Sequence, residues 1–351
     1  MSYARTFEKT ILITGAAGFI GSNLVSHVYR RYPNYRLVLL DALTYAGSLE
    51  NLPAEFNRPD SDQISFWYGN VCNAELVDTL VSQSTIVVHF AAETHVTRSI
   101  YDNFVFFQTD VIGTQTIMNS ILKHCKHIER VIHISTSEVY GTAVTPLMTE
   151  EHPLNPMSPY ASAKCGADRL VYSYWSTYNL PTVIVRPFNN YGPRQHLEKV
   201  IPRFITSVLL NENLTVHGDG DAERDFIHVD DTVRAIDLIM HAPDNLVIGE
   251  VFNVASGQDR AIRSIACDVL CAMNGDAQRI AHIGDRPGQV ARHAGDWSKI
   301  NSRLGWKPET EWESGLQDTI MWYRANEQWW RRQIWMRHIK IKTAHGTIEN
   351  H

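Results

Sequence analysis

Residues 10–21 read TILITGAAGFIG, and this stretch decides the fold. Thr10–Thr14 is a short apolar, β-branched run of the kind that forms a buried strand. Gly15, Ala16, Ala17 and Gly18 follow, then Phe19, Ile20 and Gly21, where helical periodicity sets in and runs to about Arg31. A turn this tight needs residues without a large side chain, and it brings backbone N–H groups to a pyrophosphate at the positive end of a helix. A glycine string alone is a weak signal, but here a strand precedes it and a helix follows it, which is the context the motif requires. Asp41 ends the next apolar run, Leu37–Leu40, twenty residues after Gly21. A carboxylate there accepts hydrogen bonds from the adenine ribose hydroxyls and repels a 2′-phosphate, so the expected cofactor is NAD rather than NADP.

Working outward, the alternation continues. Ile86–Phe90, Val131–Ile134 and Thr182–Val185 are further strand-like runs, with helical stretches over about 103–126 and 160–178 between them. Continuous apolar strands separated by helices imply a parallel sheet covered on both faces, a doubly wound α/β architecture of the Rossmann type. The grain changes after Arg186, where Pro187, Asn189, Asn190, Gly192 and Pro193 crowd one segment. The expected organisation is a cofactor domain over 1–188, a smaller α/β substrate-binding domain over 189–328, and an arm over 329–351, with 226–255 returning to the first domain. Helices are expected at about 200–210, 229–241, 264–273 and 312–330.

The composition excludes several function classes. The chain has 351 residues, 44% apolar and 20% charged, enough apolar material for about two folded domains and against a mainly disordered protein. The net charge of −6 carries no global basic excess, so no nucleic-acid partner is expected. No apolar run approaches the roughly 18 residues of a membrane span, and the polar N-terminus does not read as a signal peptide, so no membrane partner is expected. Five scattered cysteines fit reduced thiols in a cytoplasm. The chain has sixteen histidines without HExxH or a close His/Asp cluster, so no metal is expected.

Tyr160 and Lys164 are spaced i, i+4 and share one helix face. An ammonium beside a phenol is expected to lower its pKa, letting the tyrosine exchange a proton with a substrate hydroxyl during hydride transfer. Thr136 follows the strand ending at Ile134, at the sheet edge where ligands sit.

With the glycine turn, these residues resemble the extended short-chain dehydrogenase/reductases, and within them the nucleotide-sugar 4,6-dehydratases. The resemblance covers about residues 10–324 and is carried by GAAGFIG at 15–21, LDALTYAGSLENL at 40–52, HFAAETHVTRSI at 89–100, STSEVYG at 135–141, SPYASAK at 158–164, RPFNNYGPRQHLEKVIP at 186–202, GDGDAERDFIHVDD at 218–231, FNVASG at 252–257 and DRPG at 285–288. It implies that Tyr160 takes the proton from a sugar 4-hydroxyl as C4 gives up hydride, that Glu138 then acts as base on C5 while the C6 hydroxyl leaves as water, and that hydride returns to C6. It places Phe19, Ile20, Thr44, Asn70, Val71, Ala91 and Ala92, with Tyr160 and Lys164, along the cofactor. It gives Glu198, Lys199 and Arg203 to a substrate-phosphate loop, and Asn189, Arg224, Asn253 and Arg286 to the nucleotide diphosphate and base. His95 approaches the sugar, and His217 and Gln289 stand near the nucleotide where the family often has Tyr and His.

Departures from the family leave alternatives open. Ser137 stands where dTDP-glucose 4,6-dehydratases usually carry Asp, the acid for the leaving hydroxyl. A serine hydroxyl is too weak an acid for that, though it can hydrogen-bond the 6-hydroxyl. GDP-mannose 4,6-dehydratases and UDP-glucuronate decarboxylases show a similar Thr-Ser-Glu, so decarboxylation is the alternative, and 4-epimerisation a weaker one. Asn70 replaces the family's Asp, and Asp110 its Asn. A non-catalytic NAD-binding scaffold is a reading of a different class, against which Tyr160, Lys164 and Glu138 speak. The resemblance further implies a homodimer through the helices at 103–126 and 160–178. The tail WWRRQIWMRHIKIK, 329–342, holds three tryptophans and five Arg or Lys residues without an acid, and reads as an arm packing on the substrate domain or on a partner subunit rather than as a membrane or nucleic-acid contact.

Overall fold

The computed structural model describes residues 6–57, 62–284, 289–337, 340–342 and 348–350. In chain order the strands are β1 (Lys9–Thr14), β2 (Tyr35–Asp41), β3 (Ile64–Tyr68), β4 (Ile86–His89), β5 (Arg130–Ile134), β6 (Thr182–Pro187), β7 (Asn189–Tyr191), β8 (Leu214–His217), β9 (Glu223–His228), β10 (Val251–Val254), β11 (Asp259–Ala261) and β12 (Ile280–Ile283). Seven of them form one sheet in the order β10-β6-β5-β4-β1-β2-β3, with every neighbouring pair parallel. Side chains alternate across it. Ile11, Ile13, Leu37, Leu39, Ile86 and Val88 belong to one core, and Leu12, Val38, Leu40 and Val87 to the other. Both faces are therefore buried, which is why these strands read as unbroken apolar runs. Strand order reverses between β1 and β4, so the crevice at their carboxyl ends is where a ligand fits.

The second half builds β7-β9-β11 and the pair β8-β12. Their helices close a third core around Tyr191, Phe204, Val216, Phe226, Trp312 and Tyr323. The chain then returns. Helix Val229–His241 packs on helix Phe19–Arg31, where Asp237 accepts from the Tyr32 hydroxyl at 2.9 Å and meets His27 Nε2 at 2.9 Å. β10 extends the large sheet beside β6.

Several elements differ from the sequence expectation. The first helix starts at Phe19, two residues before Gly21. The 103–126 stretch is helical but contains a π segment, Phe107–Gly113, between Phe104–Phe106 and Thr114–Lys123. The expected helix over 312–330 is two, Trp312–Ala325 and Glu327–Arg331. Both the backbone N–H and the side-chain amide of Asn326 donate to the Trp322 carbonyl, at 3.0 and 2.8 Å, and close the first helix. β3 and the helix Ala74–Ser82 went unanticipated. β3 is an edge strand whose Tyr68 faces solvent, so its pattern lacks the apolar continuity of the inner strands.

Candidate active site

A cavity of about 450 Å³ runs from the glycine turn, past the carboxyl ends of β1, β4 and β5, to the third core. Its cofactor end is built by backbone. Gly15 has φ +66°, and a Cβ there would sit 2.7 Å from the Ala91 nitrogen. A Cβ on Gly21 would lie 2.3 Å from the Gly15 carbonyl oxygen, so glycine alone lets the helix pack onto the turn. Asp41 ends β2 and accepts from the Ala17 N–H at 2.8 Å and the Leu43 N–H at 2.7 Å. Burial pushes its carboxyl upward while these two N–H groups pull it down. Each oxygen keeps a lone pair for a ribose hydroxyl. Gly18, Phe19, Ile20, Thr44, Asn70, Val71, Ala91 and Ala92 line the same end. Asn70 holds its own loop by accepting from the Cys72 N–H at 2.8 Å.

The central part collects the catalytic candidates. Thr136 begins the turn Ser137–Tyr140, and its hydroxyl accepts from the Glu138 N–H at 3.2 Å. Ser158 caps the helix Pro159–Tyr178, accepting from the Ala161 N–H at 3.1 Å, which sets Tyr160 and Lys164 in its first two turns. All five residues, Thr136, Ser137, Glu138, Tyr160 and Lys164, line the cavity. The expected lowering of the Tyr160 phenol by Lys164 is not what the structure holds. Lys164 Nζ donates to the Ile134 carbonyl at 2.7 Å. Burial pushes the phenol well above its ordinary value, Asp110 and Glu138 add to this, and only the hydrogen bond with Thr136 opposes it. Lys164 is itself held down by burial, with Asp110 and Asp168 pulling the other way.

Asp110 sits in the π segment, a distortion that recurs at functional sites. One oxygen accepts from the Glu93 N–H at 2.8 Å, and burial raises the carboxyl to about 7 against the pull of Lys164.

At the substrate end, Glu198 is buried and accepts from the Tyr45 hydroxyl at 3.0 Å, with Lys199 at 3.4 Å and His95 at 3.4 Å. Burial would raise this carboxyl, but Lys199, His95, His196 and Tyr45 outweigh it and hold it low. Lys199 also donates to the Thr94 carbonyl at 3.0 Å. Asn189, Arg203, His217, Arg224 and Gln289 line the cavity. Asn253 does not. It is fully buried, its Oδ1 accepting from the Tyr140 hydroxyl at 2.7 Å and its Nδ2 donating to the Met148 carbonyl at 2.9 Å. Its amide is spent on the protein interior, so it is a structural residue and not a substrate ligand. Arg286 lies outside the described residues.

Sequence reasoning passed over three residues here. Tyr45 anchors Glu198. His293 is fully buried, with Nε2 2.8 Å from the Gly141 carbonyl and Nδ1 4.0 Å from Glu138 Oε1. The carbonyl can only accept, so Nε2 carries the proton and Nδ1 presents a lone pair toward Glu138. Burial keeps this imidazole neutral, outweighing the pull of Glu138. Arg337, from the arm, also reaches the cavity. Tyr45 lies inside the 40–52 segment and Arg337 inside the basic tail, without a spacing that marks either as a site residue, and His293 lies in none of the family-like motifs.

A family model described as GDP-mannose 4,6 dehydratase matches residues 12–319. The chain is 39% identical to a dTDP-glucose 4,6-dehydratase of Actinoplanes sp., across 91% of this chain and 99% of that protein. It is 42% identical to the low-salt glycan biosynthesis protein Agl12 of Haloferax volcanii, over 91% and 99% of the two chains. Among solved structures it is similar to DesIV, a dTDP-glucose 4,6-dehydratase from Streptomyces venezuelae crystallised with NAD and TYD. That likeness has a TM-score of 0.87 and 37% identity and covers 92% of this chain and 99% of that one. On the length of these matches and the site they enclose, the chain belongs to the GDP-mannose 4,6 dehydratase family.

Proposed function

We propose that the protein is an NAD-dependent nucleotide-sugar 4,6-dehydratase, converting a nucleotide-diphospho-hexose to its 4-keto-6-deoxy form. The observation that carries this reading is Glu138 on the same cavity wall as Thr136 and Tyr160. A 4-epimerase needs no base at C5, whereas a dehydratase does. The residues present fit NAD, with a cradle that only glycine can form and a buried Asp41 with acceptor capacity left for ribose. The chemistry NAD supplies when bound is hydride acceptance from C4 and hydride return to C6.

The chain's own residues handle the protons. Tyr160, once its own proton has passed to solvent, takes the proton of the 4-hydroxyl, and Thr136 hydrogen-bonds the phenolate oxygen. Lys164, fixed on the Ile134 carbonyl, places its charge along the cofactor side of the helix. The 4-ketone acidifies C5, whose proton goes to Glu138. The same carboxyl, now protonated, delivers that proton to the departing 6-hydroxyl, which leaves as water. This double duty removes the need for an acid at Ser137, whose buried hydroxyl hydrogen-bonds the 6-hydroxyl. His293 Nδ1 stands 4.0 Å from Glu138 Oε1 and borders the carboxyl from inside the protein. C5 regains a proton equivalent to the one Tyr160 took from O4, so the net change is loss of one water.

Incubation with dTDP-, UDP- and GDP-hexoses, followed by mass spectrometry, tests the reading. Loss of water from one of them is expected. Loss of carbon dioxide from UDP-glucuronate in its place assigns decarboxylation, an isomer of unchanged mass assigns epimerisation, and no turnover at all sinks the enzyme reading.

The sequence division into a cofactor part (1–188, with 226–255 returning) and a nucleotide-sugar part (189–328) is supported by the separate third core. A homodimer is supported by the outer faces of helices Phe104–Phe106 and Pro159–Tyr178 and of the π segment. They expose Phe104, Phe107, Ile112, Tyr172 and Tyr178, more apolar surface than a solvated helix pair needs. Sedimentation at micromolar concentration is expected to give twice the chain mass, and a monomer there overturns it. Five free cysteines suit the cytoplasm.

A further inference from the structure

The matched family region ends at residue 319, yet the chain continues into the cavity. Two tryptophans clamp the continuation. Trp330 is buried in the third core and its indole N–H donates to the Tyr323 carbonyl at 2.8 Å. The Trp329 indole donates to Asn51 Oδ1 at 2.8 Å, and Arg332 pairs with Glu50, both in the segment that follows the cofactor's Asp41 strand. The arm thus bridges the two halves of the site, and this fixed path turns Arg337 inward, 3% exposed.

There Arg337 lines the cavity with Arg203, Phe204, Thr215, His217 and Ile262. Its guanidinium pairs with Glu212, a carboxylate half exposed to solvent. Arg203, also buried, is pushed down to about 10, first by burial and then by the charge of Arg337. Two guanidinium side chains lining one end of the cavity suit an oxygen-rich, anionic ligand there.

We propose that Arg337, delivered by the C-terminal arm, joins Arg203 as a nucleotide-binding residue, its guanidinium donating to acceptor oxygens of the nucleoside diphosphate. The assignment rests on the nucleotide-sugar reading above and deepens it. The arm becomes a part of the substrate site that the family-matched region does not contain. The shared chemistry is a planar donor fork against oxygen acceptors, which either the diphosphate or the carbonyl edge of the base presents.

Calorimetric titration of the NAD-loaded full-length chain tests it, with dTDP, UDP, GDP, inorganic pyrophosphate and the free nucleosides as probes. For whichever nucleoside diphosphate binds, Arg337→Gln is expected to weaken affinity about tenfold or more, the loss of one charged hydrogen-bonding group, with NAD affinity unchanged. A parallel loss for pyrophosphate assigns the guanidinium to the diphosphate, and a loss confined to nucleotide and nucleoside assigns it to the base. Either upholds the proposal. Arg331→Gln, the same charge change on an exposed side chain, is expected to bind like the parent. Should Arg337→Gln melt early, Arg337→Lys keeps a charge beside Glu212 but loses the fork, and is expected to fold normally and still bind more weakly. Parent-like binding in Arg337→Gln, or in a folded Arg337→Lys when the glutamine variant does not fold, overturns the proposal. So does an equal loss in Glu212→Gln, which would make the arginine's role structural. A parent that binds no nucleoside diphosphate overturns the substrate reading itself.

Discussion

Glu138→Gln is expected to lower formation of the dehydrated sugar by about 10²- to 10⁴-fold, the range for losing one general acid–base group. Cofactor binding is expected to persist, because the glycine turn and Asp41 that cradle it are separate from Glu138 and untouched by the change. The amide conserves the shape of the turn, whose geometry depends on the Glu138 backbone N–H and Thr136 rather than on the carboxylate. What disappears is the group that takes the C5 proton and hands it to the leaving hydroxyl. The variant should therefore oxidise C4 and stall, so that reduced cofactor accumulates while no water is lost. Deuterium from solvent should cease to enter at C5. Absorbance of the cofactor and mass spectrometry of the sugar read the two halves separately. Wild-type turnover in this variant would refute the assignment of the base.

The second large effect is on stability. Beneath the catalytic helix, Arg186 donates to Asp168 through Nε at 2.9 Å and Nη2 at 3.0 Å, with both side chains buried. Arg186 also donates to the Tyr140 hydroxyl at 2.9 Å, and Tyr140 donates in turn to Asn253. Asp168→Asn strands the guanidinium in the interior, and breaking a buried pair from one side costs about 3–5 kcal/mol. Urea unfolding at pH 7 is expected to show that loss, and a difference below about 1 kcal/mol would contradict it. The pH dependence has a definite sign. Burial would raise the Asp168 carboxyl, but the hydrogen bonds and charge of Arg186 outweigh it and hold it below its ordinary value. A depressed carboxyl contributes stability that is complete above the unfolded pKa and is lost as pH falls toward the folded one. The gap between parent and variant should be full at neutral pH and narrow below about pH 4. Because Tyr140 closes the turn that carries Glu138, activity should fall along with stability.

The parts of this molecule legible in its sequence are those that depend on backbone and short spacing. A glycine turn must follow a strand and open a helix, so residues 10–21 sufficed for the cofactor end. The i, i+4 spacing placed Tyr160 and Lys164 on one helix face. It could not say that Lys164 would turn to the Ile134 carbonyl, a choice made by a strand 30 residues away. Asn253 sits in a motif that resembles a substrate contact, but its partners Tyr140 and Met148 are more than a hundred residues distant and draw it inside. His293 and Arg337 stand in segments without periodic signal, and only the folded chain brings them to Glu138 and Arg203. The π segment went unread because it has no composition signal of its own and is defined by its backbone hydrogen bonds.

The return of the chain to complete the large sheet has a consequence for how the protein is made. β6 pairs with β5 on one side and with β10 on the other, and β10 ends at Val254. On a ribosome, every strand from β1 to β6 emerges before that neighbour does. For the time it takes to translate the intervening segment, β6 is an open edge with the apolar run Val183, Ile184 and Val185 at its centre, of the kind that recruits strands from other chains. A truncation at residue 188 would make that interval permanent. The large sheet is thus contiguous in sequence up to β6 yet depends on β10, which arrives only after the intervening segment, to seal it, and the segments on either side are expected to acquire their native state together.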